Sequence, residues 1–228
     1  MSRGSCRQAS LDLGEVLPTT RGLVEAWAAS QGISPLIGVD EAGRGCLAGP
    51  VVAAAAVLPE GFDPAGLRDS KTLSARQREA LAQRLFQEAR IGIGQVEADR
   101  IDQVNILQAT FEAMRQALEA LCWEGPVGLV VVDGNQPVPR LPWPQRAWPR
   151  GDALSWTVAA ASIAAKVTRD AWMVAADRRW PGYGFARHKG YGTTDHLEAL
   201  ERQGPCPCHR RTFAPVAECL RRHPRPDR

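Results

Sequence analysis

Short apolar runs separated by amphipathic stretches set the pattern of this chain. Four segments have the composition of β-strands: residues 36–39, 51–58, 91–96 and 127–132. Runs that are apolar at every position are typical of strands covered on both faces. The Gly49-Pro50 turn between the first two runs predicts that these two strands pair antiparallel.

Helical spacing or alanine-rich composition marks the segments between and after these runs. A helix is predicted to begin at Ser74, which forms a capping box with Gln77. Further helices are predicted over residues 106–121, 153–180 and 195–203. Residues 137–149 and 181–194, rich in proline, tryptophan or glycine, are predicted loops. Strands and helices in this order predict an α/β domain with a mixed sheet flanked by helices.

Composition and charge narrow the class of protein. With 228 residues, 44% hydrophobic and 23% charged, the chain suits one ordinary globular domain. No apolar stretch is long enough to span a membrane, and residues 1–34 lack the apolar core of a secretory signal. We therefore expect a soluble, cytoplasmic protein, which we take to be a monomer. Residues 126–228 carry 16 basic and 9 acidic side chains, which favours a polyanionic partner.

The cysteines give little sign of a metal site or a disulfide framework. Six are scattered along the chain, and no Cys-x-x-Cys pair occurs. The run Cys206-Pro207-Cys208-His209 has ligand-type residues, but its prolines and the missing second pair argue against zinc. We therefore interpret these residues, like the other cysteines, as reduced thiols.

Acidic side chains stand where apolar elements end or begin. Asp40 and Glu41 follow the first strand directly, Asp133 follows the run 127–132, and Asp152 precedes an alanine-rich helix. Adjacent carboxylates repel each other unless a cation or a proton offsets them. Asp133-Gly134 could instead form a turn, and Asp152 could be a helix N-cap. The Asp40-Glu41 pair has no comparable structural explanation.

Taken together, the four acids predict a site for hard cations. Oxygen ligands without histidine or cysteine suit Mg²⁺ or Mn²⁺. Two such ions held about 3.5–4 Å apart can activate water and stabilise the leaving oxygen of a phosphodiester. The sequence therefore predicts metal-dependent phosphoryl chemistry on a polyanion.

Seven segments in order resemble the motifs of bacterial ribonuclease HII. Four precede the alanine-rich helix: Ile-Gly-Val-Asp-Glu-Ala-Gly-Arg-Gly at 37–45, Asp-Ser-Lys-Thr-Leu-Ser at 69–74, Asn-Ile-Leu-Gln-Ala-Thr at 105–110 and Val-Asp-Gly-Asn at 132–135. Three follow: residues 160–170, His-Lys-Gly-Tyr-Gly-Thr at 188–193 and His-Arg-Arg-Thr-Phe at 209–213. The resemblance covers residues 36–217, nearly all of the chain outside its ends.

The resemblance implies a ribonuclease H-like fold with a small helical C-terminal extension. It implies Mg²⁺- or Mn²⁺-dependent cleavage of RNA in RNA–DNA hybrids, and incision 5′ of single ribonucleotides in duplex DNA, giving 5′-phosphate and 3′-hydroxyl ends. The family's catalytic and metal-binding acids fall on the four already picked out: Asp40, Glu41, Asp133 and Asp152. The implied domain covers residues 35–218, between an N-terminal extension over 1–34 and a mobile basic tail over 219–228.

The resemblance also implies how the substrate is bound. Gly43, Arg44 and Gly45 match a loop that meets the ribonucleotide 2′-hydroxyl, the group that distinguishes RNA from DNA. Tyr191 matches a tyrosine that stacks on the sugar of the following DNA nucleotide. Five residues are expected to contact phosphates: Ser70, Lys71, Lys166, Arg187 and Lys189.

Two positions depart from the family pattern, and two other functions compete. Cys46 stands where proline is common, and Arg150 where lysine is frequent.

One rival function is that of a nucleic-acid-binding protein with a vestigial active site, which four intact acids argue against. The other is ribonuclease HIII, which the short N-terminal segment and the Tyr191 motif disfavour.

Overall fold

A computed structural model describes residues 21–67 and 73–222 of the chain. Its strands are β1 (Leu36–Ala42), β2 (Val51–Val57), β3 (Arg90–Val96), β4 (Leu129–Asp133) and β5 (Gln145–Trp148). The first helices are α1 (Leu23–Ser30), α2 (Ala75–Glu88), α3 (Ala98–Val104) and α4 (Ile106–Ala120). They are followed by α5 (Gly151–Leu154), α6 (Trp156–Arg179), α7 (Phe185–His188), α8 (Thr194–Gln203) and α9 (Ala214–Arg222). A single 3-10 turn covers Ala65–Leu67.

The strands form one mixed sheet in the order β3-β2-β1-β4-β5. β2 pairs antiparallel with both β1 and β3, whereas β1, β4 and β5 run parallel. The predicted antiparallel pairing of the first two strands is confirmed. In the parallel half, the carboxyl ends of β1, β4 and β5 meet at the same edge of the sheet, which is where ligands bind in open α/β sheets.

Helices cover both faces of the sheet. α4 packs with Phe111 and Met114 against one face, and α2 and α6 pack against the other. The interior strand β2 is alanine at four consecutive positions, and all seven of its residues are buried. Small side chains let both helical layers come close to the sheet. Glycines allow the same on both faces: a Cβ atom on Gly38 of β1 would lie 2.2 Å from the backbone of Thr157 in α6, and one on Gly94 of β3 would lie 2.0 Å from the carbonyl of Ala113 in α4.

Several predicted elements are confirmed, and others differ. The capping box of α2 forms as predicted between Ser74 and Gln77. The segment 137–149, predicted to be a loop, contains the edge strand β5. Its pattern was hidden because an edge strand is covered less fully than a central one. Gln145 braces it by hydrogen-bonding both the N–H and the C=O of Val138 at 2.8 Å. Helices α3 and α7 were also not predicted.

The described part of the N-terminal extension, from residue 21 onwards, packs against the core of the domain. α1 buries Val24 and Ala28 against the sheet. Its Glu25 carboxylate accepts hydrogen bonds from the Ser155 hydroxyl at 2.6 Å and the Thr157 N–H at 3.1 Å. Because Ser155 is the N-cap of α6, α1 fixes the start of the helix that follows Asp152.

The C-terminal extension is helical, as expected. α9 continues to Arg222 and buries Cys219, so residues 219–222, assigned above to the mobile tail, belong to a packed helix. The apolar spacing of Val216 and Cys219 on one face explains the difference. Within the described ranges, no helix combines the length and apolar composition needed to cross a bilayer.

Candidate active site

The four predicted acids converge at the carboxyl edge of the parallel strands. Val39 pairs with Val132, so Asp40 and Asp133 occupy the next position on adjoining strands. The chain returns through β5 to α5, which carries Asp152 in its first turn. The N–H of Gly134 donates to the carbonyl of Trp148 at 3.0 Å. A Cβ atom on Gly151 would lie 3.4 Å from Asp133 Oδ1, which puts the start of α5 against that carboxylate.

Asp40 is the most deeply placed of these acids. Its side chain is 6% exposed and accepts a hydrogen bond from the N–H of Glu41 at 2.7 Å. Burial, and then the charges of Asp133 and Glu41, raise the pKa of Asp40 well above its ordinary value, although a hydrogen bond with Ser162 opposes the shift. A buried carboxyl group surrounded by like charges is poised to exchange its proton for a cation.

A cation would also offset the charge of Glu41. Burial raises its pKa, against the effect of Arg44, whose guanidinium lies 3.1 Å from Glu41 Oε1. The second oxygen, Oε2, is buried and makes no hydrogen bond to any residue that the structure describes. An orphaned carboxylate oxygen among acidic neighbours suits a hard divalent cation, so the donor set fits Mg²⁺ or Mn²⁺.

The acids open onto a cleft with a volume of about 340 Å³. Its walls combine two acids with basic, small and aromatic side chains: Glu41, Ala42, Gly43, Arg78, Asp152, Ser162, Ile163, Lys166 and Tyr191. A cavity of about 350 Å³ continues from it, and its lining includes Arg78, Asp170 and Lys189. The cleft and the cavity thus place three cationic side chains, Arg78, Lys166 and Lys189, near the acids, where they can contact a phosphodiester backbone. Glu79 and Asp170 also line the cavity.

The loop that carries Gly43, Arg44 and Gly45 rests on two buried arginines. Arg169 donates to the carbonyls of Pro50 at 3.1 Å and Ala48 at 3.1 Å. Arg210 donates to the carbonyls of Arg44 at 2.9 Å and Gly49 at 3.0 Å. Both side chains are almost fully buried. They hold the loop from beneath, so its conformation is set independently of any ligand.

The predicted substrate contacts have different surroundings. Tyr191 is 47% exposed on the cleft wall and interacts with the thiol of Cys46. Lys166 faces the same cleft and pairs with Asp170 at 2.7 Å. Lys189 lines the continuing cavity. Arg187 lines neither space and pairs with Asp195 at 2.9 Å.

Ser70 and Lys71, the other two predicted phosphate contacts, lie outside the described residues. Arg78 was not among the predicted residues, although it lines both spaces. It lies one helical turn after the Ser74 N-cap, and this basic residue near a well-marked helix start was the available signal. Arg169 and Arg210 were also missed, since their carbonyl partners are distant in sequence.

A histidine pair fixes the backbone next to Tyr191. His196 Nδ1 lies 2.9 Å from the carbonyl of Tyr191, and its Nε2 lies 3.1 Å from His209 Nε2. The ring of His188 stacks on His196 with centroids 4.4 Å apart. Burial lowers the pKa of His196 to about 4. The ring is therefore neutral at pH 7, and the carbonyl requires the proton on Nδ1.

Acidification should destabilise the fold through His196. Its folded-state pKa of about 4 lies below the ordinary value of 6.5, so the stabilisation from the neutral ring is complete above about pH 6.5 and is lost as pH falls towards 4. The expected loss is about 2 kcal/mol after allowance for solvent screening. Urea unfolding across this pH range should show a steeper decline for the wild type than for His196→Asn. Parallel declines in the two proteins would contradict the assignment.

Comparison with known proteins agrees with this geometry. Residues 37–216 match the family model described as ribonuclease HII. Ribonuclease HII of Syntrophotalea carbinolica is 52% identical over 191 residues, covering 83% of this chain and 90% of the relative. That of Halorhodospira halophila is 52% identical over 192 residues, covering 84% and 97%.

Solved structures show the same fold. Ribonuclease H2 from Pyrococcus horikoshii superposes with a TM-score of 0.66 at 27% identity, covering 82% of this chain and 97% of that one. The Mn²⁺ complex of Bst-RNase HIII superposes with a TM-score of 0.72 at 19% identity, covering 90% and 73%. The mixed sheet, the helical layers and the predicted ribonuclease H-like fold are thereby confirmed. The chain belongs to the ribonuclease HII family and is a ribonuclease H enzyme, which cleaves RNA in RNA–DNA hybrids.

Proposed function

We propose that this enzyme hydrolyses the phosphodiester 5′ of a ribonucleotide, both in hybrids and at single ribonucleotides embedded in duplex DNA. Two divalent cations, Mg²⁺ or Mn²⁺, assist the reaction, and the products carry 5′-phosphate and 3′-hydroxyl ends. The observation that carries the proposal is the carboxylate cluster. The pKa values of Asp40 and Glu41 are raised, and Glu41 Oε2 has no hydrogen-bond partner among the described residues. The cleft beside them is also lined by the cationic side chains of Arg78 and Lys166.

The chain's own residues define where the cations would be held. Asp40, Glu41, Asp133 and Asp152 supply up to four negative charges, which matches the charge of two divalent ions. When bound, such ions make water more acidic and stabilise charge on the leaving oxygen. Because the pKa of Asp40 is raised, protons and cations compete for this carboxylate, so we expect cation binding to weaken as pH falls.

Recognition of the ribonucleotide is assigned to the loop and to Tyr191. Gly43 lines the cleft and Gly45 is exposed without a neighbour at its Cβ position, so polar backbone groups of this loop can meet a 2′-hydroxyl. Tyr191 offers an exposed ring for the following deoxyribose. Lys166, Lys189 and Arg78 lie along the rim as phosphate contacts, which position a duplex without reading its sequence.

The direct test is cleavage of a DNA duplex that contains one ribonucleotide, first with Mg²⁺ and then with Mn²⁺. We expect one incision on the 5′ side of the ribonucleotide, with a 3′-hydroxyl on the upstream fragment. A vestigial site would shift the duplex in a gel without cutting it. An enzyme of the ribonuclease HIII type would cut a long hybrid well and this duplex weakly, and either outcome would reject the proposal.

Tyr191→Ala should reduce incision at a single ribonucleotide more than cleavage of a long hybrid. Loss of one stacking ring costs about 1–3 kcal/mol, or roughly five- to 150-fold in kcat/KM. A long hybrid offers many registers and depends less on the junction. Tyr191→Phe keeps the ring and is the matched control, with near wild-type selectivity. Equal losses on both substrates would remove the junction role from Tyr191.

A further inference from the structure

A second cluster of ligand-type side chains lies behind the cleft, between α8 and α9. Cys206, Cys208 and His209 are 7%, 5% and 1% exposed. The two sulfur atoms are 3.3 Å apart, and Cys206 Sγ is 3.2 Å from His209 Nδ1. All three ligand atoms lie within 4.8 Å of one another. The prolines and the missing second cysteine pair argued against a metal site in the sequence, yet a turn at residues 207–208 brings both thiols and the imidazole together.

The hydrogen bonds around the histidines show which ring nitrogen of His209 carries no proton. The carbonyl of Tyr191 can only accept, so His196 Nδ1 must donate to it. The backbone N–H of Cys206 can also only donate, so His209 Nδ1 is an acceptor, and His209 Nε2 is the nitrogen that can donate across the 3.1 Å contact to His196 Nε2. His209 Nδ1 is therefore the unprotonated nitrogen, and it faces Cys206. A histidine ligand held by a hydrogen bond from its other ring nitrogen is the usual arrangement at metal sites.

The backbone that carries the two thiols is held in place. The N–H of Gly49 donates to the carbonyl of Cys208 at 2.9 Å, and the N–H of Cys206 donates to His209 Nδ1 at 3.1 Å. His209 also forms a β-bridge with Ala48. These contacts tie the cluster to the loop after β1 and keep the three side chains together. Binding of an ion would exchange the Cys206 N–H···Nδ1 hydrogen bond for a bond to the ion.

We propose that Cys206, Cys208 and His209 bind one Zn²⁺ ion, separate from the divalent cations of the active site. Both thiols lose their protons on binding, so the two thiolates and the ion form a neutral unit that can stay buried. Zn–S bonds of about 2.3 Å and Zn–N bonds of about 2.0 Å require separations of roughly 3.5–3.8 Å between ligand atoms. The observed separations are a few tenths of an ångström shorter, and small side-chain rotations would open them.

The donor set selects a thiophilic ion over the active-site cations. Thiolate and imidazole ligands favour Zn²⁺, whereas Mg²⁺ requires oxygen. Within the described part of the chain only three ligands converge, which leaves the fourth tetrahedral position to water or another small ligand. A disulfide between Cys206 and Cys208 is the competing outcome, and it would remove both thiolate ligands. Both cysteines are free thiols here.

The test is titration of the reduced, metal-free full-length protein with Zn²⁺ in excess Mg²⁺. We expect one ion per chain with a dissociation constant at or below about 1 µM, release of two protons, and a thiolate charge-transfer band when Co²⁺ replaces Zn²⁺. Zn²⁺ should also raise the melting temperature. Cys208→Ser should weaken binding by at least about 100-fold and remove the charge-transfer change.

Two matched variants make the result specific. Cys122→Ser alters an exposed cysteine and should bind Zn²⁺ like the wild type. Asp133→Asn disables the acidic site and should also keep the thiolate-bound ion. The proposal is overturned if the wild type binds no Zn²⁺ after reduction, if Cys208→Ser binds it equally well, or if the ion is lost only in Asp133→Asn. Because the readout is metal binding, failure here would leave the proposed nuclease activity untouched.

Discussion

Asp133→Asn should lower the rate of hybrid cleavage by at least about a thousandfold while leaving affinity for the hybrid within a few-fold of the wild type. Asparagine has nearly the same shape as aspartate but carries no charge. Asp133 lies next to Asp40 on the adjoining strand and against the start of α5, so it occupies the centre of the acid cluster. Loss of its charge should weaken the hold on a divalent cation without disturbing the cationic side chains that we propose as phosphate contacts.

The same substitution should not destabilise the protein when no divalent cation is bound. Burial, and then Asp133, raise the pKa of Asp40. A carboxyl group with a raised folded-state pKa destabilises the fold at any pH above its ordinary pKa, because ionisation there is less favourable than in the unfolded chain. Removing the charge of Asp133 relieves part of that cost, so the unfolding free energy in a chelator should stay equal or rise by about 1 kcal/mol.

These two measurements separate chemistry from folding. Single-turnover cleavage and equilibrium binding of a hybrid test the first expectation, and urea unfolding in a chelator tests the second. Turnover at more than a tenth of the wild-type rate would show that Asp133 is not required. A variant that is inactive and also markedly less stable would mean that Asp133 supports the fold instead.

The acid cluster was predictable because it depends on local signals. The strand that ends at Asp40 and Glu41 and the run that ends at Asp133 are visible in the hydropathy pattern, and parallel strands deliver their carboxyl ends to one edge. The resemblance to the family then implied a catalytic and metal-binding role for Asp152. The central sheet and the main helices followed from the same patterns.

The missed features depend on contacts between distant parts of the chain. Arg169 and Arg210 are buried because backbone carbonyls more than a hundred residues away accept their hydrogen bonds, and no spacing in the sequence indicates this. The edge strand β5 depends on its pairing with β4 rather than on its own composition. The approach of Cys206, Cys208 and His209 follows from a turn that is anchored by Gly49, so a motif search based on spacing rejects it.

The second large effect is expected at Gly43. This residue has a φ of +96°, and a Cβ atom there would lie 2.0 Å from Arg169 Nε. Gly43→Ala therefore strains the backbone and forces Arg169 away from the carbonyls that it holds. We expect a loss of about 3 kcal/mol in unfolding free energy. Hybrid cleavage should fall by at least about a hundredfold, because the loop and the adjoining Glu41 move together.

Gly45→Ala is the matched control, because its added Cβ atom would have no neighbour within 4 Å and the residue lacks a positive φ. Its unfolding free energy should stay within about 0.5 kcal/mol of the wild type. Cleavage should still fall, since the new methyl group would lie where we propose that the loop contacts the 2′-hydroxyl. If Gly45→Ala loses activity but keeps its stability, Gly45 contacts the substrate. If Gly43→Ala loses both, Gly43 supports the loop. Full activity in Gly45→Ala would remove that position from the recognition surface, and a stable Gly43→Ala protein would show that Arg169 is not fixed beneath the loop.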